Sequence, residues 1–151
     1  MIKSELRKLD RNLCPVGKAL DEIGDKWIIL ILRECFFGFK RFEDFQTNLN
    51  ISRSVLTTRL RLLVKSDILK RNEYRKLNQR VRYEYSLTDK GLDLIKLFVS
   101  LFQWGNRYAL LEEKSSYQLV EKRTGSPVVV NISNYLGEKL DLRDIRLQFI
   151  K

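Results

Sequence analysis

The chain has 151 residues, of which 44% are apolar, enough for one packed domain or for one domain with a small appendage. Its formal net charge of +10 and its pI near 9.8 favour a polyanionic partner such as nucleic acid. Histidine is absent and there are only two cysteines, so the chain offers no obvious set of metal ligands or catalytic bases. Glycine-rich phosphate-binding motifs are absent as well. The composition therefore argues against an enzyme, and against a metal or any other cofactor.

The N-terminal residues, the length of the apolar runs and the number of cysteines predict the cellular compartment. The first 13 residues are charged and amphipathic, without the apolar centre of a signal peptide. The longest strongly apolar run, residues 27–32, is far shorter than a membrane span. Two cysteines and two prolines provide no disulfide framework. We therefore expect a cytoplasmic protein with no membrane partner.

The N-terminal third is predicted to be mainly helical. Residues 26–37 are apolar on nearly all sides, as expected of a helix at the centre of a small bundle, and Gly38 ends that helix. Residues 39–42 alternate as a brief strand, and residues 43–48 form a short helix. A first helix is predicted over residues 13–24, where apolar side chains recur at helical spacing: Leu13, Val16, Leu20 and Ile23.

Residues 53–65 predict a helix with a polar, basic face, which we call the recognition helix. Ser52 is its predicted N-cap, and Leu56, Leu60 and Leu63 face the core. Such a helix can enter a DNA major groove, where Arg pairs with guanine and Ser or Thr contacts base edges or phosphates. The alternative is an ordinary solvated helix face. The candidate DNA-binding residues are Ser52, then Arg53, Ser54, Thr57 and Arg61 near the bases, and Thr58 and Arg59 towards the phosphates.

A hairpin is predicted next, because residues 68–75 and 81–87 alternate and are joined by a basic loop. Residues 51–90 carry eleven Lys and Arg against four acidic residues, which is +7 of the chain's +10. Contacts from this hairpin to the DNA backbone or minor groove would add affinity more than sequence readout. The orientation of Arg75 is left open by strand alternation. The candidate residues of the hairpin are Lys76, Gln79, Arg80 and Arg82.

The C-terminal third predicts one long helix and a β appendage. Thr88 is the expected cap of a helix that reaches about Glu112, and this helix is apolar on more than one side, so it needs a second subunit as well as its own core. Strands are predicted over residues 117–122 and 128–132, with one or two more in 140–150. The candidate dimer residues on the long helix are Leu94, Phe98, Leu101, Trp104 and Tyr108.

Several short motifs occur in a fixed order over residues 13–108. They are Cys14-Pro15, Ile23-Gly24-Asp25-Lys26-Trp27, Leu32-Arg33-Glu34, Gly38, Arg41-Phe42, Ile51-Ser52, residues 56–63, residues 83–91 and Trp104-Gly105. Together they resemble the HxlR family of bacterial and archaeal transcriptional regulators. Three positions depart from that pattern: no glycine precedes Ile51, Asp67 stands where glycine is usual, and no proline lies near Arg80.

The resemblance implies a fold and a function. The expected fold is α+β and mainly α: a winged helix-turn-helix with its dimerisation helix in residues 1–113, and a small antiparallel β extension in residues 114–151. The expected function is a homodimeric regulator on a pseudo-palindromic operator in double-stranded DNA, with repression as the default. The alternatives are an architectural or RNA-binding winged-helix protein, or a basic protein–protein adaptor.

The resemblance also implies a candidate sensor. Some family members use the cysteine at the position of Cys14 to sense oxidants or electrophiles, and the start of a helix favours a thiolate. The alternative is a structural thiol, which is also how we interpret Cys35. Trp27 and Trp104 are expected to anchor the core and the dimer helix, or else to flank a pocket for an aromatic effector. Arg41 is expected to support the fold or to touch a phosphate.

Overall fold

The structure is a computed structural model that describes residues 13–75, 81–110 and 115–146. Three predicted wing residues, Lys76, Gln79 and Arg80, lie outside the described residues, and so does the predicted helix end at Glu112. The chain divides into two compact units, Met1–Ile95 and Lys96–Lys151. Within the described ranges, no helix has the length and apolarity that a membrane crossing requires.

Among the described residues, four helices precede the hairpin, in the order that the sequence predicts. They are α1 (Pro15–Ile23), α2 (Lys26–Phe36), α3 (Phe42–Leu49) and α4 (Arg53–Lys65). The predicted cap of α4 is confirmed, because the Ser52 hydroxyl accepts a hydrogen bond from the Val55 amide at 3.4 Å. Helix α4 is the recognition helix, and its bounds agree with the prediction.

Two turns in the first unit explain two departures from the family pattern. Asn50 ends α3 with φ of 47°, and Asp67 follows α4 with φ of 54°. Both residues occupy positions where the family has glycine. Asn and Asp are the non-glycine residues that adopt this left-handed conformation most readily. Both turns therefore adopt, without glycine, a backbone conformation that glycine adopts most easily.

The hairpin consists of β1 (Leu69–Tyr74) and β2 (Arg82–Leu87), paired antiparallel from Leu69↔Leu87 to Tyr74↔Arg82. The predicted brief strand before α3 is reduced to one antiparallel bridge between Arg41 and Glu84. Side chains alternate between two faces of the hairpin. The inner face is defined by Leu69, Arg71, Glu73, Tyr83, Tyr85 and Leu87. The outer face is defined by Lys70, Asn72, Tyr74, Arg82, Glu84 and Ser86.

The core of the first unit lies between the helices and the inner face of the hairpin. The predicted core side chains of α4 are confirmed, since all three are at most 1% exposed: Leu56, Leu60 and Leu63. Phe45 of α3 and Ile31 of α2 are fully buried beside them, and Trp27 and Leu87 pack against the cluster. With one face of α4 committed to this core, its other face is left to solvent.

The predicted long C-terminal helix is wrong as one continuous element. The structure has α5 (Asp89–Asp93), then α6 (Ile95–Trp104), then a π-helical turn over Gly105–Ala109. The break is at Leu94. Its amide donates a hydrogen bond to the Gly91 carbonyl three residues back, and its side chain packs on the core of the first unit. The predicted cap is confirmed, since Thr88 Oγ1 accepts from the Gly91 amide at 3.0 Å.

The strands predicted in the C-terminal extension are wrong for the described residues 115–146. Antiparallel pairing is limited there to two isolated bridges, Val120↔Pro127 and Ser133↔Lys139, and a 3₁₀ turn, Leu142–Asp144, stands where a further strand was expected. Pro127 has no amide hydrogen, so it cannot extend a ladder of hydrogen bonds. The described part of the extension therefore consists of turns and isolated bridges. The predicted α+β class, mainly α, is confirmed, and its sheet is the two-stranded hairpin of β1 and β2.

Candidate nucleic-acid interface

The exposed face of the recognition helix carries the residues that the sequence nominated, with one exception. Six of the seven are exposed: Ser52, Arg53, Ser54, Thr57, Thr58 and Arg61. They lie opposite the buried leucines of the same helix. The arrangement is a polar and basic surface on a helix whose other side is anchored, as groove insertion requires.

The first turn of α4 is organised by its neighbours. The guanidinium carbon of Arg53 lies 5.1 Å from the centre of the Phe42 ring, a cation–π contact that joins the start of α3 to the start of α4. The hydroxyls of Ser52 and Ser54 are 3.3 Å apart. The amides of this first turn add the positive end of the helix dipole, which attracts a phosphate.

The two threonines use their hydroxyl protons inside the helix. Thr57 Oγ1 donates to the Arg53 carbonyl at 2.8 Å, and Thr58 Oγ1 donates to the Ser54 carbonyl at 3.0 Å. Each side chain therefore turns a methyl group and the remaining acceptor capacity of its oxygen to the outside. Methyl groups contact the thymine methyl, so these two residues suit apolar readout more than hydrogen-bond donation.

Arg59 is the exception. The sequence placed it towards phosphates, but its Nη2 lies 2.8 Å from Asp25 Oδ2 at the start of α2, and its side chain is only 27% exposed. Among the described residues its buried Nε has no hydrogen-bond partner. The hydrogen bond from Arg59 lowers the pKa of Asp25 below its ordinary value of 3.8, and the Trp27 and Ile28 amides act in the same direction, against desolvation. We therefore remove Arg59 from the candidate DNA contacts.

Of the predicted wing residues, only Arg82 lies in the described part of the chain. It is exposed on the outer face, paired in register with Tyr74. Arg41 stacks over the Tyr74 ring at 5.3 Å and lies 3.4 Å from the Glu84 carboxylate, so it supports the hairpin. Arg75 is exposed, directly after the end of β1.

Sequence reasoning missed Arg71. Its guanidinium carbon lies 4.2 Å from the centre of the Tyr83 ring on the inner face. Arg71 and Tyr85 line a cleft of about 460 Å³ beside α4, together with Thr57 and Arg61. The alternation of residues 68–75 was the available signal, because it places Arg71 on the same side as the buried Leu69.

The two cysteines differ in environment, and both are free thiols. Cys14 is half-buried and caps α1, where its Sγ accepts a hydrogen bond from the Gly17 amide at 3.4 Å. Burial raises the pKa of the Cys35 thiol to about 12, and the adjacent Glu34 carboxylate contributes in the same direction. Cys35 is therefore a buried apolar group. No group of three metal-ligating side chains occurs among the described residues.

The predicted dimer residues divide into two sets. Leu94 packs on the core of the first unit, and Phe98 is buried within the chain. The other three are well exposed, and the rings of Trp104 and Tyr108 lie 5.7 Å apart: Leu101 at 45%, Trp104 at 60% and Tyr108 at 53%. A second apolar row is exposed on α1 and just before it: Leu13, Val16 and Leu20.

Comparison with known proteins gives a family and a set of regulators. A family model described as HxlR-like helix-turn-helix matches residues 22–115. The HTH-type transcriptional regulator Rv3095 of Mycobacterium tuberculosis is 37% identical over 131 residues, which are 86% of this chain and 82% of that protein. The match extends beyond the helix-turn-helix itself.

Two solved structures are similar as well. PA1607, assigned as a transcription factor, shares 36% identity and a TM-score of 0.81, over 90% of this chain and 94% of its own. The redox regulator HypR in its oxidized form shares 34% identity and a TM-score of 0.57, over 62% of this chain and 96% of its own. The similarity to PA1607 includes most of the C-terminal extension, whereas HypR is shorter.

Proposed function

The chain belongs to the HxlR-like helix-turn-helix family of DNA-binding transcriptional regulators, and from this premise we propose that it binds a pseudo-palindromic operator in double-stranded DNA as a homodimer and represses transcription. The observation that carries the proposal is the exposed Arg, Ser and Thr face of α4, opposite three buried leucines. No catalytic step and no cofactor enter this function.

The roles on α4 follow from position and chemistry. Arg53 and Ser54 lie in the first turn of the helix, the part that reaches base edges in helix-turn-helix proteins. Thr57 follows one turn later with its methyl group and suits a thymine. Ser52 is assigned to a phosphate, and Thr58 is assigned to an apolar contact because its hydroxyl proton is used within the helix. Arg59 is withdrawn because Asp25 holds it. Arg82 on the outer face of the hairpin is a further backbone contact, as are the tip residues Lys76, Gln79 and Arg80.

Dimerisation is proposed from exposed apolar side chains. The row on α1 and the row on α6 with its following turn each leave several large apolar groups in water. Burial of such groups against a second copy would contribute roughly 25 cal/mol per Å² removed from solvent. A two-fold pair would present its recognition helices about one DNA turn apart, roughly 34–36 Å. Occlusion of a promoter by such a dimer, in the cytoplasm where its DNA lies, is the basis for assigning repression.

Cys14 is the proposed sensor residue of the regulator. It lies at the start of α1, directly beside the exposed apolar row that begins at Leu13. Oxidation or alkylation of the thiol would change the cap of α1 and the surface assigned to the partner subunit. HypR, to which the chain is similar, is a redox regulator. A small electrophile or an oxidant is therefore the proposed class of effector.

The test is binding to the DNA upstream of the chain's own gene, compared with a scrambled duplex of equal length, by fluorescence anisotropy at several salt concentrations. We expect selective binding that Arg53→Ala abolishes and Lys122→Ala, an exposed cation of the C-terminal extension, leaves intact. Sedimentation should give twice the mass of one 18.0 kDa chain. Equal binding to both duplexes, a preference for single strands or RNA, or a monomer would contradict the proposal.

A further inference from the structure

We propose that the cleft between α4 and the inner face of the hairpin is a seat for one phosphate of the DNA backbone, with Arg71 as its principal cation. This assignment rests on the proposed function and adds to it a residue and a position that the recognition helix and the wing tip do not include. The chemistry is a phosphodiester oxyanion held by guanidinium groups and by the hydroxyl of Tyr85.

The lining of the cleft fits an anion. It measures about 460 Å³ and is formed by Thr57, Leu60, Arg61, Val64, Arg71 and Tyr85. Two of these side chains are cationic, Tyr85 carries a phenolic hydroxyl, and none is acidic. Both arginines are exposed at the opening of the cleft, whereas Leu60 is buried at its bottom. The two cationic groups therefore lie where a DNA phosphate can reach them.

Arg71 is held in place before DNA arrives. Its position in β1, directly opposite Tyr85 in the register, turns its side chain to the inner face and towards α4. The Tyr83 ring then holds the guanidinium at 4.2 Å. A cation–π contact uses none of the N–H donors of the guanidinium, so they remain for a bidentate contact with phosphate oxygens. A positioned arginine loses less conformational entropy on binding than a free one.

Tyr85 supplies a neutral donor in the same cleft. It is half-buried, and its ring lies 6.2 Å from that of Phe45 in the core. Burial raises the pKa of Tyr85 above its ordinary value of 10.0, which outweighs the opposing effect of the Arg71 charge. The hydroxyl therefore stays protonated at neutral pH and adds no negative charge to the cleft.

The position of the cleft favours a backbone phosphate over a base. A recognition helix in the major groove and a hairpin over the neighbouring strand leave the sugar-phosphate chain to pass between them. The cleft lies at this junction, with Arg61 of α4 on one side and Arg71 of β1 on the other. Because Arg61 is also a candidate for base contact, a substitution of Arg71 tests the phosphate contact without changing a candidate base contact.

The experiment compares wild type, Arg71→Gln and Lys70→Gln on the upstream duplex and on a scrambled duplex. Lys70 is the matched control, since it is the preceding residue of β1 and an exposed cation on the outer face. We expect Arg71→Gln to weaken binding about tenfold on both duplexes and to lower the slope of log K against log salt by about one. Lys70→Gln should change neither by a comparable amount.

A second measurement locates the phosphate. Neutral methylphosphonates are placed one at a time along the upstream duplex, and one of them should weaken wild-type binding as Arg71→Gln does. At that position the variant should show no additional loss, because the two changes remove the same contact. Thermal unfolding of both variants in the absence of DNA should be unchanged within a few degrees, which separates a lost contact from a damaged hairpin.

Three outcomes would overturn the proposal while leaving the proposed function intact. In the first, Arg71→Gln and Lys70→Gln have the same small effect on DNA binding. In the second, Arg71→Gln changes only the preference for the upstream sequence. In the third, inorganic phosphate stabilises the free protein through Arg71, and Arg71→Gln has no effect on DNA binding. The last outcome would assign the cleft to a small anion. Failure of the wild type to select the upstream duplex would instead contradict the proposed function itself.

Discussion

Asp25 and Arg59 join the start of one helix to the middle of another. Asp25 Oδ1 accepts hydrogen bonds from the amides of Trp27 at 2.9 Å and Ile28 at 3.3 Å, which caps α2. Its other oxygen, Oδ2, lies 2.8 Å from Arg59 Nη2 of the recognition helix. One carboxylate therefore begins α2 and restrains the recognition helix against it. The contact joins α4 to a residue 34 positions away in sequence.

The Asp25 contact predicts a dependence of stability on pH. Because Arg59 and two amides lower the pKa of Asp25 in the folded state, its stabilising effect is complete above the unfolded value near 3.8 and is lost as the pH falls through the lower folded value. We expect Asp25→Asn to reduce the unfolding temperature at pH 6 and to flatten its decline on acidification. Thermal unfolding between pH 2 and pH 6 measures both. An unchanged acid decline in Asp25→Asn would assign the effect to other carboxylates.

Gly91 is predicted to tolerate no larger residue. A Cβ built there would lie 2.3 Å from the Ile68 carbonyl oxygen, an overlap with backbone that no side-chain rotation relieves. We expect Gly91→Ala to destabilise the protein by about 2 kcal/mol or more, as overpacking does. Gly105→Ala is the matched control, because no atom outside its local backbone lies within 4 Å of the added Cβ. Urea unfolding of both variants measures the difference, and equal midpoints would contradict this close approach.

Glu34 is predicted to hold α2 and α3 together. It is 3% exposed, and its carboxylate accepts hydrogen bonds from Arg33 Nη2 at 2.7 Å and from Asn48 Nδ2 at 2.8 Å. We expect Glu34→Ala to cost about 1.5 kcal/mol, because it removes the hydrogen bonds through which one buried carboxylate joins Arg33 and Asn48. Glu43→Ala, at an exposed position of α3, should cost less than about 0.5 kcal/mol. The unfolding free energies of the two variants test this role, and similar values would contradict a stabilising contact of Glu34 between α2 and α3.

The two thiols are predicted to react at very different rates. Cys14 is half-buried, whereas the pKa of Cys35 is raised to about 12 by burial. At pH 8 a thiol reagent should modify one equivalent quickly and the second only after unfolding. Cys14→Ser should abolish the fast phase, and Cys35→Ser should preserve it. Rapid reaction of both thiols in the folded protein would contradict the burial of Cys35.

Modification of Cys14 is further expected to weaken DNA binding. Treatment with an oxidant should reduce the affinity of the wild type for its upstream DNA, and Cys14→Ser should remove the response while it retains binding under reducing conditions. Anisotropy titrations before and after oxidant, followed by reductant, measure the change and its reversal. An undiminished response in Cys14→Ser would exclude this thiol from the mechanism.

Much of the first unit follows from local rules. The bounds of α4, its leucine face and its Ser52 cap depend on helical periodicity and on one side chain bonding a nearby amide, and both are properties of a few consecutive residues. The hairpin is equally local. The exposure of Arg53 follows from the same periodicity, because a helix that buries one face must expose the other.

The sequence by itself determined that α4 has a buried leucine face and an exposed polar and basic face, because that pattern is written in consecutive residues. Only the tertiary structure decided that Arg59 turns away to Asp25, that Arg71 enters the cleft beside α4, and that the C-terminal helix breaks at Leu94. Each of these outcomes depends on groups brought together from distant positions, where packing and charge pairing override local preference. The strands predicted in the extension are absent from the described residues because a strand needs a partner strand, and Pro127 lacks the amide hydrogen that would continue the pairing.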